Sequence, residues 1–255
     1  MKLTERKRYH KIEKDSSRKE QKNGTTEEEK AGCCLWTGSS CIDFLESDAK
    51  YSGSAKIKSG MYRGELTFGT AVEEREDNCY PVQLQKYMEQ AEKKYRIGNF
   101  GVEGAAVQKK SKKPYTKEER YESSTEYKAG LVVMMLGTND TTEENWTDID
   151  TFQKDYQSLI KGYQDLKSSP EIWLVTPPMI QSDGSTEMEE RAKRVEEIKN
   201  AIETIGEKNK LTVLDLYSYS QKHPEWYQED GVRLNKDGAL AVADMVGDCI
   251  INKTK

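Results

Sequence analysis

The stretch Leu131-Val132-Val133-Met134-Met135-Leu136 is an unbroken apolar run that stops at Gly137-Thr138-Asn139-Asp140. With no polar residue to turn toward water, such a run reads as a strand buried on both faces, and strands of that kind belong to parallel sheets covered by helices. The flanking sequence supplies the helices. From Asp148 to Lys167, Ile149, Phe152, Tyr156, Leu159, Ile160, Tyr163 and Leu166 recur at spacings of three and four, which predicts an amphipathic helix. About Thr186 to Glu207 repeats the pattern with Met188, Ala192, Val195, Ile198, Ile202 and Ile205. Tyr80 to Lys94 carries Pro81 at a helix-opening position and places Leu84, Tyr87, Met88 and Ala91 on one face, and Lys236 to Ile251 reads as a closing helix. Tyr95 to Phe100, Glu171 to Thr176 and Leu211 to Leu216 read as further strands, the second stopped by Pro177-Pro178.

Strands alternating with long helices imply parallel strands joined by right-handed crossovers, so the fold class is α/β, a three-layer α/β/α sandwich around a central parallel sheet. In such sheets the active crevice lies beyond the carboxyl ends of the strands. The turn Gly101-Val102-Glu103-Gly104, the turn Gly137 to Asp140 and the loop after Leu216 are therefore expected to meet there.

A chain of 255 residues is long enough for one such domain. Hydrophobic residues make up only 35% and charged residues 33%, so the core has to come from short concentrated runs, and these lie after residue 80. Residues 1–30 are almost wholly charged or small and polar, the composition of a disordered tail. Residues 31–64 show no sustained period of two or 3.6, and the domain proper is expected over 65–255. The net charge of −5 offers no attraction to nucleic acid or an anionic membrane. The charged start is followed by no apolar stretch fit for a signal peptide or a membrane span, so a cytoplasmic, soluble chain is expected. Five cysteines, Cys33, Cys34, Cys41, Cys79 and Cys249, match neither a zinc site nor a disulfide framework and read as reduced thiols. No metal-ligand spacing and no phosphate-cradling glycine motif appears, so neither a metal nor another cofactor is expected.

Three short blocks sit at the predicted strand ends: Asn99-Phe100-Gly101-Val102-Glu103-Gly104, Gly137-Thr138-Asn139-Asp140, and Asp230-Gly231-Val232-Arg233-Leu234-Asn235. With Thr67-Phe68-Gly69 and Tyr80-Pro81-Val82-Gln83-Leu84 upstream, their order and spacing over about Leu66 to Ile251 resembles the GDSL/SGNH hydrolases. That resemblance implies a flavodoxin-like fold and hydrolysis of acyl esters of carbohydrates, lipids or small molecules. It also implies an oxyanion hole at Gly104 and Asn139, where a glycine N–H and an asparagine amide would stabilise the charge developing on the substrate carbonyl oxygen. The partner it implies is a small-molecule ester or carbohydrate-like ligand.

The chemistry of the family is interrupted at two of its blocks. Where G-D-S-[IL]-T-x-G should carry the serine nucleophile, the chain reads Arg63-Gly64-Glu65-Leu66-Thr67-Phe68-Gly69. Glu65 stands at the serine position without a gap, or Gly64-Glu65 stands for G-D with the serine missing. Ser39 and Ser40, in Thr37-Gly38-Ser39-Ser40, lie far from the Thr67-Phe68-Gly69 that should adjoin them and read as an ordinary loop. Where D-x-x-H should carry the base, Asp230 is present and Arg233 replaces the histidine. Arginine stays protonated and has no lone pair to take a proton; pairing with Asp230 or contact with an anionic ligand is expected of it. Of the two histidines, His10 falls in the tail and His223 precedes Pro224, reading as a surface or helix-end residue. Trp173, Trp226 and Tyr217 read as core or crevice-wall aromatics, the latter two near the site. The text before Leu66 lacks an evident apolar first strand, as it would after a frameshift or misplaced start, and Lys56 to Tyr62 fills that slot poorly.

Overall fold

The computed structural model describes residues 57–63, 65–70 and 72–253. The elements run β1 (Ile57–Arg63), α1 (Glu65–Phe68), α2 (Arg75–Asn78), α3 (Tyr80–Gln90), β2 (Tyr95–Asn99), α4 (Glu119–Glu126), β3 (Leu131–Met135), α5 (Ile149–Gln164), β4 (Glu171–Val175), α6 (Thr186–Asn209), β5 (Thr212–Leu214), α7 (Leu216–Ser220) and α8 (Lys236–Lys253). The five strands form one sheet in the order β2-β1-β3-β4-β5, every pair parallel.

Strand β3 shows why an apolar run is needed at the centre of this sheet. Successive side chains point to opposite faces, so Val132 and Met134 join one core while Leu131, Val133 and Met135 join the other. β4 divides in the same way: Ile172 and Leu174 go to the first core, Trp173 and Val175 to the second. The first core is completed by Phe152, Tyr156, Leu159, Ile160 and Tyr163 of α5 and by Ile198, Ile202 and Ile205 of α6. The second is completed by Leu84 and Met88 of α3 and by Val242, Val246 and Ile250 of α8. Two helical layers thus enclose the sheet, giving the three-layer α/β/α sandwich.

Local chemistry sets the helix ends. The Asp148 carboxylate accepts from Thr151 N at 2.7 Å and caps α5, and the Ser185 hydroxyl accepts from Met188 N at 3.3 Å and caps α6. The expected strand Leu211 to Leu216 is shorter than its apolar text: Asp215 accepts from Ser218 N at 3.0 Å and turns Leu216 into the start of α7.

The first strand corrects the reading of the sequence. Ile57–Arg63 occupies the slot between β2 and β3, with Ser59 opposite Leu131 and Arg63 opposite Met135. The segment lacks an apolar run, but backbone pairing on both sides supplies its hydrogen bonds. The tail 1–30, His10, Ser39, Ser40, Cys33, Cys34 and Cys41 lie outside the described residues. Cys79 is buried and Cys249 half-buried. Among the described residues, no helix is long and apolar enough to cross a membrane.

Candidate active site

From β1 the chain steps to β2 on one side and to β3 on the other, so the topological switch point, where open α/β sheets bind ligands, falls between the carboxyl ends of β1 and β3. Three segments converge around it: α1 after β1, the turn after β2 and the turn after β3. Asn99 joins the first two. Its Nδ2 donates to the Thr67 carbonyl at 2.9 Å and its Oδ1 accepts the Gly101 N–H at 2.9 Å. At Gly101 backbone meets backbone: a Cβ there would stand 2.3 Å from Phe68 N and 2.8 Å from Phe68 Cα. The helix headed by Glu65 is thereby pressed against the Gly101 to Gly104 turn. The Glu65 side chain itself lies outside what the structure describes.

Gly104 has φ +72°, a conformation that favours glycine, and a Cβ built on it meets nothing within 4 Å. The space on the Cβ side of Gly104 is therefore open. Asn139 lies on the short 3-10 turn Asn139–Thr141, where its Nδ2 donates to the Ala105 carbonyl at 3.0 Å and its own carbonyl accepts from Asn145 Nδ2 at 2.9 Å. Asn139 thus braces the neighbouring turn rather than its own, one residue past Gly104. A primary amide has two N–H bonds, and one satisfies Ala105.

The turns after β2 and β3 are clamped together by Asp140, a residue the sequence reading left without a role. Fully buried, its carboxylate accepts the Val107 N–H at 2.9 Å and the Gln108 N–H at 2.9 Å. Burial pushes the Asp140 carboxyl up to about 7, against the opposing pull of the Val107 and Gln108 N–H groups; the nearby Asp155 carboxylate adds to the rise. From the other side α6 fixes the same turn: Arg191 Nε donates to Thr141 Oγ1 at 3.1 Å and Arg194 Nη1 to the Thr141 carbonyl at 2.9 Å. Neither arginine announces this in the sequence, since both lie on the polar part of an ordinary amphipathic helix.

Asp230 and Arg233 are held to each other. One carboxylate oxygen of Asp230 accepts the N–H groups of Val232 and Arg233, both at 2.9 Å, and the other receives the Arg233 guanidinium Nε. Burial raises the Asp230 pKa, but these N–H groups and the guanidinium outweigh it and hold the carboxyl below its ordinary value. The loop bearing them is pinned to the segment after β4 where Gln181 N donates to the Gly231 carbonyl at 2.8 Å. His223 is half-buried ahead of Pro224, as expected; its Nδ1 lies 2.9 Å from Glu225 Oε1 and its ring stacks on Trp226. Tyr217 packs with Ile180, Val195 and Val232 in a small separate cluster, and Trp173 is core. The fold therefore brings the Glu65 helix, Gly104 and Asn139 together, and pairs Asp230 with Arg233.

The GDSL-like Lipase/Acylhydrolase family model matches residues 65–241. An acetylxylan esterase of Xylanibacter ruminicola is 26% identical over 212 residues, covering 76% of this chain and 43% of that protein, so the chain spans less than half the length of this relative. Among solved structures, the lipase/acylhydrolase from Enterococcus faecalis superposes with a TM-score of 0.62 at 20% identity, over 77% of this chain and 96% of that one. The acetyl xylan esterase AlAXEase superposes with a TM-score of 0.60 at 21% identity, over 76% of this chain and 100% of that one. A carbohydrate acetylesterase family member from Sinorhizobium meliloti does so with a TM-score of 0.63 at 15% identity, over 77% and 98%.

Proposed function

Because the chain belongs to the GDSL-like lipase/acylhydrolase family, we propose that it keeps that family's acyl-binding site without the serine relay: a domain that binds carbohydrate acyl esters and hydrolyses them at most slowly. The observation that carries this reading is the state of Asp230. In a serine hydrolase the aspartate orients the histidine that takes the serine proton. Here both carboxylate oxygens already accept hydrogen bonds, one of them from the side chain that replaces the histidine. At the serine position of the nucleophile block the chain offers Glu65, which carries no hydroxyl.

Gly104 and Asn139 support the acyl-binding half of the proposal. A glycine N–H and an asparagine amide held at the adjoining Ala105 carbonyl are the kinds of donor an ester carbonyl oxygen requires. Since the Arg233 charge is matched by Asp230, the pair has little to offer an anion, and an uncharged acyl group suits the reading better. The identity of the acetylxylan esterase relative points to an acetylated sugar.

Calorimetric titration with acetylated and unacetylated xylohexaose tests the reading. The acetylated ligand is expected to bind about fivefold more tightly, the worth of one amide hydrogen bond, and Asn139→Ala is expected to erase that preference. Equal affinity for the two ligands in the unaltered protein would sink the acyl-binding proposal.

A further inference from the structure

Large aromatic side chains are costly to leave in water, and among the described residues Tyr219 stands 38% exposed. A single exposed ring needs no explanation, but this one belongs to a cluster. Its centroid lies 5.0 Å from that of Trp226 and 5.5 Å from that of His223, edge-on to both. His223 and Trp226 are themselves stacked, 3.8 Å apart and 8° from parallel. Both are half-buried, so each keeps part of its ring surface accessible.

The cluster is also rigid. The Asn235 side chain donates to the Glu225 carbonyl at 2.7 Å, Asn235 N donates to the Trp226 carbonyl at 2.8 Å, and a Cβ on Gly238 would stand 2.6 Å from that same carbonyl. Glu225 Oε1, 2.9 Å from His223 Nδ1, holds the imidazole in its plane. Hydrogen-bonding groups border the rings: the Glu225 carboxylate and the Gln181 amide, whose Nε2 donates to the Pro224 carbonyl at 3.3 Å. The Tyr227 to Leu234 bridge and the Asn235 contacts place this assembly on the same loop as Asp230 and Arg233.

We infer that Tyr219, His223 and Trp226 form a stacking platform for a pyranose ring of the ligand, a sugar subsite beside the acyl site. This rests on the reading that the ligand is a carbohydrate ester. A pyranose presents one face of C–H groups, weakly positive, which lies well on the negative face of an aromatic ring, and a rim of hydroxyls that needs donors and acceptors around that ring. The platform is already in place, so binding orders few side chains. The acidic balance of the chain disfavours nucleobases carried on a phosphate backbone as the occupant.

The probe is unacetylated xylohexaose, which has no acyl group and so reports on the platform alone. Added to the full chain, it is expected to shift the Trp226 indole N–H resonance in two-dimensional NMR, identified by its loss in Trp226→Phe. Tyr219→Ala is expected to weaken binding about fivefold and Tyr219→Phe to retain it, with unfolding curves confirming that both variants are folded. If xylohexaose leaves the indole unmoved while acetylated xylohexaose binds Tyr219→Ala as tightly as the unaltered protein, the platform is refuted and the acyl site stands. If xylohexaose binding depends on Tyr219 but acetylation adds nothing, the platform stands and the acyl site is refuted.

Discussion

Glu65→Ser combined with Arg233→His is expected to raise acetyl-ester turnover at least about 100-fold over the unaltered chain, with neither change alone approaching that value. Removing the guanidinium frees the second carboxylate oxygen of Asp230, which an imidazole Nδ1–H can then occupy, leaving Nε2 as base. A serine at 65 heads α1 at the end of β1, with its helix pressed against the Gly101 to Gly104 turn, the place in the chain where the family carries its nucleophile. Triad members act as a unit, so a serine without a base, or a base without a serine, gains little. The measurement is initial-rate hydrolysis of an acetyl ester by the double and both single variants, with unfolding curves confirming that all are folded. A folded double variant no faster than the singles would show that Glu65 does not stand at the nucleophile position.

Asp140→Ala is expected to cost about 3 to 5 kcal/mol of stability, because it strands the buried N–H groups of Val107 and Gln108. Asp140→Asn keeps one acceptor oxygen, at the Oδ1 position within reach of both N–H groups, and should cost less than alanine, which separates the lost clamp from a lost charge. A pH series adds a second reading. With the carboxyl at about 7 in the fold and about 3.9 in the unfolded chain, the folded state holds the extra proton between those values. Its contribution to stability is complete below about pH 4 and is lost as pH rises to about 7. Asp140→Asn should remove this decline while leaving the titrations of other groups in place. Denaturant unfolding across that range measures both effects; a loss below about 1 kcal/mol in Asp140→Ala would mean that the clamp does not hold the two turns.

Much of this architecture is legible in the chain, and the exceptions have physical causes. β3, β4 and the helices α3, α5, α6 and α8 announce themselves because each buries a continuous run or a stripe at helical spacing. β1 does not: Lys58, Ser59 and Gly60 break any apolar pattern, and the strand is defined by backbone pairing to β2 and β3, which spacing cannot reveal. At the site, the pairing of Asp230 with Arg233 is readable from charge and separation, while the attention drawn to Gly104 and Asn139 comes from the resemblance to the family. The reach of Asp140 to Val107 and of Arg191 and Arg194 to Thr141 is not, since each crosses between elements that only the fold makes neighbours. The stack of His223 on Trp226 has the same origin in a tight turn around Pro224.

If the acyl site persists while the serine relay is gone, treating the full chain with a fluorophosphonate during an acetyl-ester assay is expected to give no covalent labelling and no hydrolysis in the ordinary enzymatic range of about 1 per second or more. Stoichiometric labelling of any serine, Ser39 and Ser40 included, together with turnover in that range, would contradict it.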